Sequence, residues 1–304
     1  MKAVVFAYHN MGVIGIEKLL EHGFSIPLVF SHQDSDRENI WFRSVAELCS
    51  RRGIKVCMPD DPNTDEWIDI IKKCAPDFIF SFYYRQLLSS AILSVPHYGS
   101  YNLHGSLLPK YRGRCPVNWV IIKGETTTGV SLHEMLEKPD AGPLVGQKPV
   151  PIDMTDTALT LFGRLEKAAG ALLDESLPRM LSGCFDKTPQ DLSKGSYFGG
   201  RSPEDGRIDW TQSAVEIYNL IRGVTRPYPG AFGYLNGRQV ILWKAGLSDE
   251  ISSQPGRISV RGRHVMIGCG QGSIVPQEIE VESRTMEKTD LYDFMNIHAG
   301  ELMA

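Results

Sequence analysis

Apolar runs of strand length alternate with amphipathic segments through the first third of the chain, and this alternation constrains the fold most strongly. The strand-like runs are residues 2–8, 26–31, 56–58 and 77–82. The helix-like segments are residues 13–22, 41–52 and 65–74, and a further helix is predicted at residues 116–122. Strands that alternate with helices of this length favour a parallel sheet covered by helices on both faces. We therefore predict an α/β, Rossmann-like, mostly parallel sheet.

From residue 207 onwards the pattern changes to short strand-like runs separated by turn residues. These runs are residues 231–235, 239–244, 256–260, 264–267 and 273–281. Several short strands at close spacing are typical of a small barrel, here of the OB-fold type. We therefore predict a first domain at residues 1–188, a linker at residues 189–206 and an OB-like C-terminal β-barrel at residues 207–304.

Residues 101–113, YNLHGSLLPKYRG, contain the strongest candidate site. Asn102 and His104 are two positions apart, so in an extended strand their side chains project from one face. An amide donor beside an imidazole suits a reaction in which a carbonyl oxygen becomes negative while a nucleophile loses a proton. For these two residues alone, a satisfied histidine at a strand end is the commoner explanation. The turn residues that follow, and Asp140 after a predicted strand at residues 128–135, favour a functional site.

Residues 101–113, the TGV sequence at residues 128–130 and the DAG turn at residues 140–142 resemble the folate-dependent formyltransferases, and the resemblance covers the whole chain. Members of that family transfer a formyl group from 10-formyltetrahydrofolate to an amine. The resemblance implies that Asn102, His104 and Asp140 form a catalytic trio. His104 would donate and accept the proton, Asn102 would stabilise the transition state, and Asp140 would favour the charged form of the His104 ring.

The resemblance also implies where 10-formyltetrahydrofolate binds. The implied residues are Gln86, Leu87, Leu88, Arg114, Leu136, Glu137, Lys138, Pro139 and Asp140. On the sequence alone, Leu87, Leu88 and Leu136 fit an ordinary core equally well. The other histidines, His133 among them, show no spacing typical of metal ligands, so solvated or core positions are expected for them and no metal is predicted.

Two flanking stretches narrow the expected acceptor. Residues 6–12, FAYHNMG, and residues 80–85, FSFYYR, are similar to bacterial members that formylate UDP-4-amino-4-deoxy-L-arabinose in the lipid A modification of polymyxin resistance. A UDP-amino sugar is therefore the expected substrate. Arg201, Trp210, Arg226 and Tyr228 have the side-chain types that bind a diphosphate and a base. For each of these residues taken singly, an arginine in a solvated linker or an aromatic residue in a barrel core is the commoner explanation.

The best-known relatives of this kind carry a further dehydrogenase domain that decarboxylates UDP-glucuronic acid. This sequence ends at Ala304. Whether the chain works alone, or with such a decarboxylase domain or partner, stays open at this point.

Other activities fit the sequence less well. Methionyl-tRNA formyltransferase carries a Lys/Arg-rich insertion after the second strand, where this chain has QDSDRE at residues 33–38. The formal net charge of −4 is also unfavourable for binding nucleic acid through overall positive charge. Glycinamide ribonucleotide formyltransferase lacks the C-terminal domain. A non-catalytic folate- or nucleotide-binding module would not need the complete trio.

The sequence also bears on location. Residues 1–6 resemble a strand rather than a signal peptide, and no apolar stretch reaches the roughly 18 residues of a membrane span. The six cysteines include no C-x-x-C pair, which favours reduced thiols. We therefore expect a cytoplasmic protein without membrane insertion.

Overall fold

The computed structural model describes residues 1–35, 39–250 and 254–304, and these form two compact units. The described parts of residues 1–116, 127–151 and 162–199 form the first unit, and those of residues 117–126, 152–161 and 200–304 form the second. Two short early segments thus group with the C-terminal part of the chain. Within the second unit, for example, Asn118 Nδ2 donates to the Gly223 carbonyl oxygen at 2.8 Å. The linear boundaries at residues 188 and 207 stay a prediction.

The first part of the chain contains nine strands and six α-helices among the described residues. The strands are β1 (Lys2–Ala7), β2 (Ser25–Phe30), β3 (Val56–Cys57), β4 (Phe78–Phe82), β5 (Ser100–His104), β6 (Arg112–Gly113), β7 (Thr127–Glu134), β8 (Leu144–Pro151) and β9 (Tyr197–Phe198). The helices are α1 (His9–Glu21), α2 (Val45–Arg52), α3 (Asp65–Cys74), α4 (Ser90–Leu93), α5 (Pro116–Ile122) and α6 (Ala158–Leu181).

Seven of these strands form one sheet in the order β3-β2-β1-β4-β5-β7-β8. The strands from β3 to β5 are parallel, whereas β7 and β8 pair antiparallel. Every side chain of β4 is buried, as expected for a strand covered on both faces. Phe6 and Phe30 stack in this core with their ring centroids 4.6 Å apart. The predicted Rossmann-like, mostly parallel sheet is confirmed.

The topology brings several loops to one edge of the sheet. The chain builds β1, β2 and β3 outwards in one direction and then returns to place β4 on the other side of β1. Ligands of open α/β sheets bind beyond the carboxyl ends of the strands at such a switch point. Strand β5 pairs with β4 on one side and with β7 on the other, and Asn102 lies opposite His133. Asn102 and His104, both on β5, therefore lie between a parallel strand and an antiparallel strand.

The second unit is built on a six-stranded antiparallel sheet. Its strands are β10 (Ala231–Leu235), β11 (Arg238–Ser248), β12 (Ile258–Arg261), β13 (His264–Gly268), β14 (Ser273–Val281) and β15 (Arg284–Glu287). The pairing order is β10-β11-β14-β13-β12, with β15 on β14. Helices α7 (Ala214–Val224) and α8 (Lys288–Ile297) flank these strands in sequence. The predicted change to a small antiparallel C-terminal fold is confirmed.

Helix α7 shows how local sequence sets an element in the second unit. Ser213 Oγ accepts a hydrogen bond from the Glu216 N–H, and the Glu216 carboxylate accepts one from the Ser213 N–H. This capping box satisfies amide groups that the first helical turn leaves without partners. None of the helices formed by the described residues is both long enough and apolar enough for a membrane span.

Candidate active site

The carboxyl end of β5 carries two of the predicted catalytic side chains. Asn102 and His104 lie on this strand, and His104 is buried. The His104 Nε2–H donates to the Tyr111 carbonyl oxygen at 2.8 Å, since a carbonyl oxygen can only accept. The other ring nitrogen, Nδ1, lies 3.6 Å from Asp140 Oδ1. That separation is too long for a hydrogen bond, so this contact is electrostatic.

Asp140 lies between two imidazole rings. Its Oδ1 atom is 3.6 Å from His104 Nδ1 and 3.4 Å from His133 Nε2. Burial alone would raise the pKa of Asp140, but both histidines and the Gly113 N–H outweigh it and hold this pKa well below its usual range. Asp140 is therefore a carboxylate at neutral pH, beside His104.

Two segments that are distant in sequence fix the position of Asp140. The Gly113 N–H donates to Asp140 Oδ2 at 2.8 Å, and a Cβ atom at Gly113 would collide with the Phe198 carbonyl oxygen. Gln190 Nε2 donates to the carbonyl oxygens of Asp140, at 3.2 Å, and of Gly142, at 2.6 Å. These bonds support Asp140 in a left-handed conformation, with φ of 52°, which is uncommon for residues other than glycine. Gln190 and Phe198, both in the predicted linker, thus support the candidate site.

His133 is the site residue that the sequence analysis did not single out. It is buried on β7, with Nε2 3.3 Å from Asn102 Nδ2. Its Nδ1–H donates to the Glu134 carbonyl oxygen at 2.8 Å. The strand was predicted but its antiparallel pairing with β5 was not, and that pairing is what brings His133 beside Asn102.

Apart from Arg114, which follows β6, the residues implied in folate binding lie in the loops after β4 and β7. Leu88 and Met135 both pack against the same core cluster of the first unit. The two loops are therefore anchored to one core. Leu87 is 71% exposed and Leu136 is 49% exposed, which excludes core packing for both side chains. Gln86 is half-buried.

The remaining implied folate residues differ in exposure. Arg114, Glu137 and Lys138 are exposed, and Pro139 is half-buried. The Arg114 N–H donates to the Phe198 carbonyl oxygen at 2.9 Å, which fixes its main chain and leaves its guanidinium in solvent. Along the chain, Gln86 precedes the exposed Leu87, and Glu137 and Lys138 follow the exposed Leu136.

The predicted nucleotide contacts belong to the second unit, where each has an environment of its own. Trp210 is buried in the core, and Tyr228 packs against that core half-buried. Arg201 lies over the Trp119 ring, 4.6 Å from its centroid. Arg226 lies 4.2 Å from the ring centroid of a tryptophan and pairs with two carboxylates; these partners are Trp243, Glu278 and Glu280. The role of these four residues in binding stays a prediction.

Among the described residues, no group of three or more His, Cys, Asp or Glu side chains is arranged to hold a metal ion. The arrangement at the end of β5 is a set of proton carriers and hydrogen-bond donors. Such a set can stabilise a developing oxyanion and move a proton.

His9 lies in an aromatic cluster at the carboxyl end of β1. Four ring centroids lie 4.0–4.9 Å from that of His9, those of Phe42, Trp41, Tyr83 and Phe162. His9 is only 3% exposed, and its Nδ1 atom has no hydrogen-bond partner among the described residues. Burial, and secondarily the charge of Arg85, lowers the pKa of His9 to about 3. The ring is therefore neutral at pH 7.

This burial predicts a dependence of stability on pH. Below about pH 6.5 the unfolded chain protonates His9 while the folded chain excludes that proton, so the free energy of unfolding should fall. The slope from this one group is about 1.4 kcal/mol per pH unit, down to the folded pKa. His9→Asn tolerates the left-handed φ of 65° and does not titrate, so its slope should be shallower. Urea unfolding between about pH 4 and 7 measures both slopes, and equal slopes would contradict the prediction.

Comparisons with known proteins identify the group of proteins to which this arrangement belongs. A model of the formyl transferase family matches residues 3–177, and a model of the formyl transferase C-terminal domain matches residues 201–298.

Several solved structures share the fold. An N-formyltransferase from Helicobacter canadensis, in complex with folinic acid and dTDP-3-aminofucose, is 22% identical with a TM-score of 0.71, over 91% of this chain and 99% of that one. The sugar 3N-formyl transferase WlaRD, in the presence of dTDP and 5-N-formyl-THF, is 20% identical with a TM-score of 0.71, over 93% and 98%. HypX from Aquifex aeolicus, in complex with tetrahydrofolic acid, is 18% identical with a TM-score of 0.60, over 98% and 48%.

The matched family model spans more than half of the 304 residues and includes Asn102, His104 and Asp140. The three polar residues at the carboxyl end of the Rossmann-like sheet therefore lie inside the region that the family model matches. The chain belongs to the formyl transferase family.

Proposed function

We propose that this chain transfers a formyl group from 10-formyltetrahydrofolate to the 4-amino group of UDP-4-amino-4-deoxy-L-arabinose. Such a reaction would place it in lipid A modification and polymyxin resistance. The observation that carries the proposal is that Asn102, His104 and the half-buried Asp140 carboxylate meet at the end of β5. We further propose a cytoplasmic location, because the cysteines lack the pairing pattern of disulfide-rich secreted proteins.

The side chains on β5 would carry the chemistry. Asn102 would donate its amide N–H to the oxygen on which negative charge develops, and one such donor contributes about 10²–10³ to the rate. His104 would take up the proton that the attacking amine loses, contributing about 10²–10⁴. It would then pass this proton to the donor nitrogen that is released when the bond between that nitrogen and the formyl carbon breaks. The Nδ1 atom of His104 is the nitrogen for this task, because Nε2 already donates to the Tyr111 carbonyl oxygen.

Asp140 and His133 would act by positioning. The Asp140 carboxylate faces His104 Nδ1 and stabilises positive charge on that ring. His133 lies against both Asp140 and Asn102, so it limits how far either side chain can turn. Neither residue needs to touch the acceptor for these roles.

The loops after β4 and β7 have the side chains that a binding site for the formyl donor needs. Leu87 and Leu136 expose large apolar side chains, and Leu88 and Met135 anchor both loops to one core. Such apolar walls with nearby polar main chain suit a flat heterocycle such as a pterin. When bound, the donor supplies the formyl carbon. The residues that would hold it are Gln86, Leu87, Leu88, Arg114, Leu136, Glu137, Lys138, Pro139 and Asp140.

Support for an amino-sugar acceptor comes from residues 6–12 and residues 80–85, the two stretches whose similarity suggested this acceptor. The turn after β1 and the loop after β4 meet, with His9 and Tyr83 ring centroids 4.9 Å apart and the Arg85 guanidinium 4.5 Å from the Tyr8 ring centroid. The relatives from Helicobacter canadensis and WlaRD were crystallised with dTDP or a dTDP-amino sugar. Another sugar-nucleotide N-formyltransferase is therefore the alternative.

A tRNA acceptor has less support. Binding tRNA through phosphates needs a concentrated basic surface, whereas this chain has 32 basic against 36 acidic residues. Asp36, Arg37 and Glu38, on which part of the sequence argument depends, lie outside the described residues. A decarboxylase domain or partner, as in the best-known relatives, remains part of the proposal.

The test is a competition between acceptors. The chain is mixed with 10-formyltetrahydrofolate and, separately, with UDP-4-amino-4-deoxy-L-arabinose, a dTDP-4-amino sugar and methionyl-tRNA, and loss of the donor is followed. We expect the highest kcat/KM with the UDP-sugar and no turnover of methionyl-tRNA. Faster turnover of the dTDP-sugar would favour the alternative, and faster turnover of charged initiator tRNA would overturn the proposal.

A further inference from the structure

Residues 188–198, which we call the support segment, lie against both loops that carry the neighbours of His104. The sequence alone placed most of this segment in a linker between the two domains. We propose that Gln190 and Ser196 are positioning residues of the formyl transfer, because each holds one of the two groups that flank the His104 ring. This inference rests on the proposed function and gives the support segment a part in the reaction.

The His104 ring lies between two groups that do not belong to β5. On one side, the Nε2–H donates to the Tyr111 carbonyl oxygen at 2.8 Å. On the other side, Nδ1 lies 3.6 Å from Asp140 Oδ1. The carbonyl oxygen fixes which nitrogen carries the proton in the neutral ring, and the carboxylate stabilises the positive charge that the ring gains. The alignment of both groups therefore decides how well His104 can take up a proton.

Tyr111 and Asp140 share a backbone conformation that needs support. Their φ angles are 58° and 52°, in the left-handed region that residues other than glycine rarely adopt. A conformation of this kind persists only where the surrounding contacts hold it. The contacts that hold Tyr111 and Asp140 therefore also set the geometry at His104.

The first part of the support segment holds the turn that contains Asp140. Gln190 Nε2 donates to the Asp140 carbonyl oxygen at 3.2 Å and to the Gly142 carbonyl oxygen at 2.6 Å. Thr188 exchanges two backbone hydrogen bonds of 2.8 Å with Leu144, where β8 begins after that turn. One amide group of Gln190 thus ties together two carbonyl groups of the turn, next to the carboxylate.

The second part of the support segment holds Tyr111. Ser196 Oγ accepts a hydrogen bond from the Tyr111 N–H at 2.9 Å, and the Ser196 carbonyl oxygen accepts one from the Arg112 N–H at 3.0 Å. The Phe198 ring stacks on Tyr111, with centroids 5.0 Å apart and an interplanar angle of 8°. Tyr111 is therefore held at its N–H by Ser196, while its carbonyl oxygen holds His104.

Gly113 connects the two parts. It lies on β6, which pairs parallel with β9 at the end of the support segment. The Gly113 N–H donates to Asp140 Oδ2 at 2.8 Å, and a Cβ atom at Gly113 would collide with the Phe198 carbonyl oxygen. The pairing of these two short strands thus fixes the Asp140 carboxylate and the Tyr111 loop together.

Two variants of the full chain test the inference from the two sides of the ring. Gln190→Met keeps the length of the side chain but removes its amide donor, and Ser196→Ala removes the acceptor for the Tyr111 N–H. Each should lower kcat with the sugar nucleotide by about tenfold or more, since a misplacement of about 1 Å can cost about 10²-fold. KM for the sugar nucleotide should stay close to wild type, because both side chains act on the neighbours of His104 rather than on the acceptor. Ser196→Thr keeps the hydroxyl group and should retain most of the wild-type kcat.

The pH profile separates alignment from mere support of the fold. Among the described residues, Asp140 and His133 are the titratable groups that lie against His104, the His133 ring with its centroid 6.5 Å away. If Gln190→Met lets the carboxylate move away, protonated His104 loses stabilisation, so the acidic limb of the kcat profile should move to lower pH. A purely structural loss would lower kcat by the same factor at every pH.

NMR of the imidazole groups tests the Tyr111 side without any substrate. An Nε2–H held by a carbonyl oxygen should exchange slowly with water and give a ring N–H signal, and loss of this signal in His104→Gln assigns it. In Ser196→Ala the Tyr111 carbonyl oxygen loses its support, so the signal should broaden and exchange faster. In Ser196→Thr the signal should remain as in wild type.

Matched controls use the same substitutions at exposed positions outside the site. Gln239→Met, on β11, and Ser50→Ala, on α2, should leave kcat, the pH profile and the ring signal unchanged. Melting temperatures identify the variants that fold, and kinetics are measured well below them. The two Ser196 variants keep the test decisive if Gln190→Met does not fold.

The outcomes separate this inference from the proposed function. The inference is overturned if folded Gln190→Met and Ser196→Ala keep kcat within about twofold of wild type. It is also overturned if they lose kcat while the pH profile and the ring signal stay as in wild type. If the wild-type chain formylates no sugar nucleotide, the proposed function fails, whereas a changed ring signal in Ser196→Ala would still support the alignment of His104.

Discussion

Replacing His104 by Gln should lower kcat by about 10²-fold or more, because no other group on β5 can take up the proton of the attacking amine. The Gln side chain has an amide N–H that can still donate to the Tyr111 carbonyl oxygen, as His104 Nε2 does. The loop from Gly105 to Gly113 should therefore keep its position. The effect should lie in kcat, with KM for both substrates nearly unchanged, since the proton moves only in the chemical step.

Steady-state kinetics with both substrates varied measures this loss. His97→Gln is the matched control, since His97 is exposed and lies outside the site. Thermal unfolding should show that both variants fold. Turnover of His104→Gln within a few-fold of wild type would remove His104 from the mechanism and would leave the proposed chemistry without a proton carrier.

Elements with strong local signals could be predicted from the sequence. Helix α3 begins at Asp65 and ends at Cys74 as predicted, with acidic residues in its first turn and lysines in its last. That charge pattern complements the helix dipole, and Ile68 and Ile71 form the buried side. Helix α5 also matches its predicted bounds. In these cases a short stretch of sequence contains all the information that sets the element.

The predicted first residues of two other helices were wrong. Helix α1 begins at His9 rather than at residue 13, because the Gly12 N–H already donates to the Tyr8 carbonyl oxygen. Helix α2 begins at Val45 rather than at residue 41, because Ser44 caps it by accepting from the Glu47 N–H. The aromatic residues at 41 and 42 instead surround His9. Tertiary packing of rings thus overrode a helical pattern.

The candidate site was predictable in its chemistry but not in its surroundings. Asn102 and His104 share a strand, so their spacing alone predicted a common face. His133 depends on the pairing of β5 with β7, and Gln190 depends on a contact across 50 residues of sequence. A single sequence contains no local signal for either contact. The partners of Arg226 in the second unit, Glu278 and Glu280, are equally remote in sequence.

The second large effect is expected at Asn102. Asn102→Ala removes the amide donor, and kcat should fall by about 10²–10³-fold. Asn102→Asp keeps the shape but places a negative group where negative charge develops, so its kcat should fall further than that of Asn102→Ala. Asn296→Asp, a change of an exposed residue on α8, is the matched control. If Asn102→Asp were as active as wild type, a donor at this position could not be part of the mechanism.

The double variant His104→Gln/Asn102→Ala tests whether the two groups act in one step. If the two groups stabilise the same transition state, removing one of them reduces what the other can contribute. The fold-decrease in kcat of the double variant should therefore be smaller than the product of the two single fold-decreases. His133 contacts both Asn102 and Asp140, so the two groups are also coupled in the structure. Losses in kcat that multiply fully would instead mean independent contributions, and Asn102 would then act through binding or folding rather than beside His104.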